Sequence, residues 1–134
     1  KIIVAASVKE LMQLMNVTAN DYWHYHYLPD EPAAFKKKTL GTQMAANIVI
    51  NTIVPVVFAY GHYFAENRYK EKALQWLDDI ASEKNNIIQT FTGLGIEVTT
   101  AFDSQAVIQL KNKYCNQKRC LECAAGNSIL KING

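Results

Sequence analysis

The residues best suited to chemistry lie together in the stretch KNKYCNQKRCLECAAGNS, residues 111–128. It holds all three cysteines of the chain, Cys115, Cys120 and Cys123, spaced C-x4-C-x2-C. Thiolates are soft ligands, and two of them two residues apart, as Cys120 and Cys123 are, can grip one ion from a single turn. The order also matches the first three ligands of plant-type [2Fe–2S] ferredoxins, whose fourth ligand is another cysteine. No fourth cysteine stands in this sequence. A Cys3His zinc site needs an imidazole from His24, His26 or His62, and His26 is the choice because its aromatic surroundings are expected to pack on the body of the domain. With three ligands of four, packing is preferred to zinc, since free cysteine is among the most buried residue types. A redox pair of Cys120 and Cys123 ranks third, because no thioredoxin-like βαβ pattern surrounds it.

The same stretch carries Lys111, Lys113, Lys118 and Arg119, with no acid between residues 104 and 121. At a helix end these charges would complement the negative pole of the dipole. They would equally suit the phosphates of a nucleic acid, with Asn112, Asn116 and Gln117 as neutral donors. A solvated face is the commoner explanation of four charges, and no helix-turn-helix, zinc-finger or RNA-binding pattern accompanies them. Catalytic signatures are missing as well: there is no Gly-rich phosphate loop, HExxH or nucleophile elbow. Asp78 and Asp79 are adjacent and diverge on a helix, and His24 and His26 share a side only if extended. An enzyme would need a metal on His24 and His26 with a carboxylate such as Asp21.

The elements that position these residues are mostly helical by pattern. Val8, Leu11, Met12 and Met15 follow one helix face, with Ser7 as N-cap. NDYWHYHYLPDEP reads as a long aromatic loop that packs its rings on the body and surfaces between Pro29 and Pro32. Residues 39–65 carry no charge and could cross a bilayer by length. The recurrence of Gln43, Asn47 and Asn51, with Pro55 and Gly61, favours instead a buried central helix with satisfied amides, kinked near 51–55 because Pro55 has no N–H. ENRYKEKALQWLDDI predicts an amphipathic helix that buries Tyr69, Leu74, Trp76, Leu77 and Ile80 and turns Glu71 and Lys72 to solvent. Ser82 is expected to cap the next helix, with Gly93 or Gly95 ending it. IEVTT alternates but lacks a partner strand. A further helix capped by Asp103 or Ser104 is expected to bury Val107, Leu110 and Tyr114, and the tail to hold a short helical turn stopped by Gly126.

The expected fold is therefore all-α: a compact bundle of about five helices with a buried, Pro-interrupted central helix, forming a single helical domain over residues 1–134. Length and composition agree, with 134 residues, 49% of them apolar and 19% charged. The net charge of +2 is too small to imply a polyanion partner by its sum, although its distribution can. Charged Lys9 and Glu10 prevent a signal-peptide core. The opening without methionine, in what reads as mid-helix, suggests a fragment of a longer protein. Three cysteines within nine residues suit reduced thiols in a cytoplasm better than a secreted disulfide scaffold.

Three segments, DYWHYHYLPDEP, INTIVPVVFAYG and FDSQAVIQLKNKYCNQKRCLECAAGNSILK, resemble the C-terminal part of an uncharacterised family of Bacteroidetes proteins, a domain of unknown function. The resemblance runs over nearly the whole chain. It implies a bacterial cytoplasmic protein with a β-rich portion upstream, whose acidic and histidine motifs would suit a metal-dependent nuclease-like fold. The family pattern falls on Cys115, Lys118, Arg119, Cys120, Cys123 and Gly126, with Trp23 and His26 as its aromatic element. Two functions follow as expectations. One is a helical accessory domain that helps an upstream part of the same chain bind nucleic acid. The other is a structural or assembly domain with a packed or zinc-clamped cysteine cluster. No membrane partner is expected.

Overall fold

The computed structural model describes residues 2–132. It is mostly helical and contains one small two-stranded hairpin among the described residues. Two compact units divide the chain, Lys1–Trp76 and Leu77–Gly134.

In the first unit, α1 (Val8–Leu14) is capped by Ser7, whose Oγ accepts the Glu10 N–H at 3.3 Å, as the sequence indicates. The aromatic segment then closes on itself. Thr18 and Thr39 form an isolated antiparallel bridge, so the loop leaves and re-enters the fold at one place. Within it lie the single turn α2 (Asp21–His24) and the hairpin of β1 (His26–Leu28) and β2 (Glu31–Pro32), with Asp30 in the left-handed region at φ 61°. The expected packing of its rings on the body is corrected here. His24 is buried, while Tyr22, Trp23, Tyr25 and Tyr27 are exposed; Tyr22 meets Trp23 edge-on and stacks on His26, and Tyr25 tilts against Phe35.

The uncharged run forms one continuous helical rod, Thr42–Tyr63, of 22 residues and mean hydropathy 1.6. By length and composition alone it could cross a membrane. Pro55 does not break it. The rod passes from α3 (Thr42–Ile48) through a π-helical turn (Val49–Ile53) into α4 (Val54–Tyr63). The Val54 N–H reaches back five residues to the Val49 carbonyl. The wider turn absorbs the proline's missing donor that the sequence led us to expect as a kink. Ala45, Val49, Ile53, Val57 and Gly61 form a buried stripe with a four-residue repeat. The amides fall two residues away on the opposite face, so the central helix is buried on one side only. Gln43 Nε2 donates to Asn47 Oδ1 at 3.3 Å, and Asn51 Nδ2 to the Asn47 carbonyl at 3.0 Å.

Gly61 does not stop the helix either. A Cβ there would stand 2.9 Å from the Glu66 carbonyl oxygen and from the Tyr69 Cβ, so glycine is what lets α4 meet α5 (Asn67–Asp79) closely. On α5, Ala73, Trp76 and Leu77 are buried, whereas Leu74 is exposed. Lys72 does not point freely to solvent: its Nζ donates to the Ile3 carbonyl at 2.8 Å.

In the second unit, α6 (Asn86–Gly93) is capped by Asn85, which accepts the Ile88 N–H at 3.0 Å. Ser82 is instead engaged upstream, its N–H on the Thr99 carbonyl, next to a bridge between Ala81 and Thr100. That bridge is all the strand structure that IEVTT acquires. The helix ends as its glycines indicate: Gly95 sits at φ 86°, its N–H on the Thr92 carbonyl and that of Ile96 on the Phe91 carbonyl, a Schellman ending. Helix α7 (Ala101–Leu110) is capped by Thr100, not by Asp103 or Ser104. Asp103 completes a capping box, and its carboxylate accepts from the Thr99 and Thr100 N–H groups, which holds it below the usual carboxylate range. Fully buried Ser104 accepts from the Glu83 N–H and donates to the Thr100 carbonyl. A second π-helical turn, Lys111–Cys115, extends α7, and α8 (Ala124–Ile132) runs through Gly126, which the sequence assigned as a stop.

Candidate functional site

The basic cysteine turn is assembled from the π-helical extension of α7 and the chain that leads into α8. Lys118, at φ 53°, ends the extension. Its N–H bonds to the Cys115 carbonyl and the Arg119 N–H to the Tyr114 carbonyl, the same pair of bonds that closes α6 around Gly95. A lysine thus occupies a backbone conformation that usually selects glycine. The next turn follows at once, with the Cys123 N–H on the Cys120 carbonyl at 3.3 Å.

Cys115, Cys120 and Cys123 are all among the residues that line one apolar pocket of about 190 Å³, with Phe91, Leu110 and Tyr114. Their exposure differs. Cys115 and Cys120 are exposed and Cys123 is buried, so the packing expectation holds for one cysteine of the three. Leu110 and Tyr114, expected in the core, are half-buried, while Val107 is buried. Gly126 is a contact point: a Cβ on it would come within 2.4 Å of the Cys120 carbonyl oxygen.

No three His, Cys, Asp or Glu side chains come together to hold a metal among the described residues. All three histidines lie in the first unit and the cysteines in the second. His26 Nδ1 donates to the Tyr22 carbonyl at 2.8 Å, and its ring stacks on Tyr22 at 3.9 Å. His24 Nδ1 accepts the Lys38 N–H at 3.1 Å, which places its proton on Nε2. Each imidazole therefore uses one nitrogen to hold the hairpin, and Asp21 does not join them in a metal-sized group.

The four basic residues divide. Arg119 pairs with Glu122 and lies near the Tyr114 ring, 5.5 Å from its centroid. The pairing raises the Arg119 guanidinium above its ordinary value and lowers Glu122. Lys111, Lys113 and Lys118 have no ion-pair partner among the described residues. The pairing with Glu122, the single acid of the stretch, was not assigned from the sequence, and its i, i+3 spacing from Arg119 was the available signal.

Residues 1–86 match the model of a family described as Protein of unknown function (DUF2851). The match takes in the aromatic hairpin and the uncharged rod. The third resembling segment, which starts at Phe102, lies outside it. No curated protein and no solved structure matches the chain.

Proposed function

The chain belongs to the family described as protein of unknown function (DUF2851), and from that premise we propose that it is a helical accessory domain whose basic turn contacts the phosphates of a nucleic acid. The turn lies outside the matched residues, so the reading rests on its electrostatics. One observation carries it. Residues 111–123 hold four basic groups and one acid, a net +3 against +2 for the whole chain. The one acid is taken by Arg119, which leaves three lysines uncompensated. Local charge of this kind, more than the sum, attracts a polyanion. Lys118 adds support, since keeping a side chain in the left-handed region costs about 1–2 kcal/mol relative to glycine. Exposed Asn112 and Gln117 stand in the same stretch as neutral donors.

Anisotropy of a labelled oligonucleotide titrated with the protein at stepped salt tests this. Three phosphate contacts give a slope of log K against log salt of about −2 to −3. Replacing Lys111, Lys113 and Lys118 with glutamine flattens it, whereas Arg119→Gln changes it less. Absence of binding at low salt ends the reading.

A second reading, a structural domain with the cysteine turn as its closing element, is favoured by buried Cys123 and by the Gly126 contact on Cys120. It expects metal-free protein whose melting is unchanged by chelator. One firmly held equivalent of zinc by elemental analysis would replace packing with a clamp.

A further inference from the structure

We propose that Cys120 and Cys123 form a dithiol site that exchanges with low-molecular-weight disulfides. The geometry is that of a single hydrogen-bonded turn, the Cys123 N–H on the Cys120 carbonyl at 3.3 Å. A four-residue turn holds its first and last Cα atoms within about 7 Å. A disulfide spans about 4.4–6.8 Å between Cα atoms, a range that the ends of such a turn meet. Both residues also line the same apolar pocket. Their exposures suit two successive roles: Cys120 is exposed and meets a reagent, while Cys123, 7% exposed, lies behind it.

The turn is pinned on both sides. Lys118 and Arg119 close the preceding helical extension, and Gly126 of α8 rests against the main chain of Cys120. Cys115 also lines the pocket, but it belongs to the earlier turn, where its carbonyl accepts the Lys118 N–H.

The exchange balances with a disulfide such as oxidised glutathione as the oxidant. The Cys120 thiolate attacks one sulfur of the reagent, a mixed disulfide forms and one small thiol leaves. The Cys123 thiolate then attacks the Cys120 sulfur, the protein disulfide forms and the second small thiol leaves. Two protein thiols are oxidised and one reagent disulfide is reduced to two thiols, which carry away the two protons.

The test equilibrates the full chain in glutathione buffers from reducing to oxidising, traps free thiols by alkylation and maps the products by mass. Cleavage after Arg119 and Lys131 places Cys120 and Cys123 in one peptide and Cys115 in another. Wild type and Cys115→Ser are expected to lose two alkylatable thiols, with the bond inside residues 120–131. Cys120→Ser is expected to form no internal disulfide, and Cys123→Ser to stop at the mixed disulfide on Cys120. Should the buried Cys123 variant fail to fold, the exposed Cys120 variant still decides. Three free thiols in the most oxidising buffer, a bond to Cys115, or an internal disulfide that survives in Cys120→Ser would overturn the proposal.

Discussion

The aromatic hairpin of the first unit and the cysteine turn of the second are the two places where reactive side chains concentrate, and they use them differently. In the hairpin the chemistry is spent on architecture. His24 accepts a main-chain N–H, His26 donates to a carbonyl and stacks on Tyr22, and Lys38 Nζ donates to the His26 carbonyl while lying over the Tyr27 ring. In the cysteine turn, main-chain bonds and a glycine contact do the holding, and the side chains of Cys120, Lys113 and Lys118 stay exposed. Residue type alone therefore does not say which side chains the fold leaves available for chemistry. A histidine consumed by its own loop has less chemistry left than a lysine on a turn that stands without it.

That contrast can be broken by substitution. Gly126→Ala should have the largest effect, because the added methyl meets main-chain atoms of Cys120 rather than a side chain that can swing away. A loss of about 1–3 kcal/mol in denaturant unfolding is expected, against a small change for Gly41→Ala, which has open space around it. His24→Leu should cost about 1–3 kcal/mol by leaving the Lys38 N–H unpaired beside a buried side chain. If it costs nothing, the hairpin histidine is not structural and the comparison fails. Lys113→Gln should fall within about 0.5 kcal/mol of wild type. Lys118→Gly should go the other way, gaining up to about 1 kcal/mol while it weakens oligonucleotide binding. A stabilised variant that still binds fully would remove Lys118 from the interface.

The smallest effect is a pH dependence. Asp103 is held below its ordinary value of 3.8 by the Thr100 and Thr99 N–H bonds. Its contribution is fully present above that value and is lost as the pH falls through the lower, folded one. Asp103→Asn should therefore melt below wild type at neutral pH, and the difference should shrink on acidification below about pH 4.

Much of the fold was legible in the residues. Ser7 as a cap, the glycine ending at Gly95 and the helical class all follow from local backbone chemistry, which depends on a few neighbours in sequence. Caps were misplaced where distant partners intervene. Ser82 looks like an N-cap by type, but it lies beside the Ala81–Thr100 bridge with its N–H on the Thr99 carbonyl, and Asn85 caps α6 instead. The basic turn was visible as charge without acid, but which of its charges is already neutralised depended on the pairing of Arg119 with Glu122.

By itself the sequence determined an uncharged helical rod with amides every four residues, a cluster of three thiols and a local excess of positive charge. These are properties of composition and spacing, present before any fold. Only the tertiary structure decided that Pro55 is absorbed by a π-helical turn, that Gly61 and Gly126 are contact points rather than stops, and that the imidazoles and the thiols belong to separate units. The physical reason is common to all three. Whether a missing donor, a missing Cβ or a free lone pair ends an element, seats a neighbour or holds a ligand depends on which atoms the rest of the chain brings up to it.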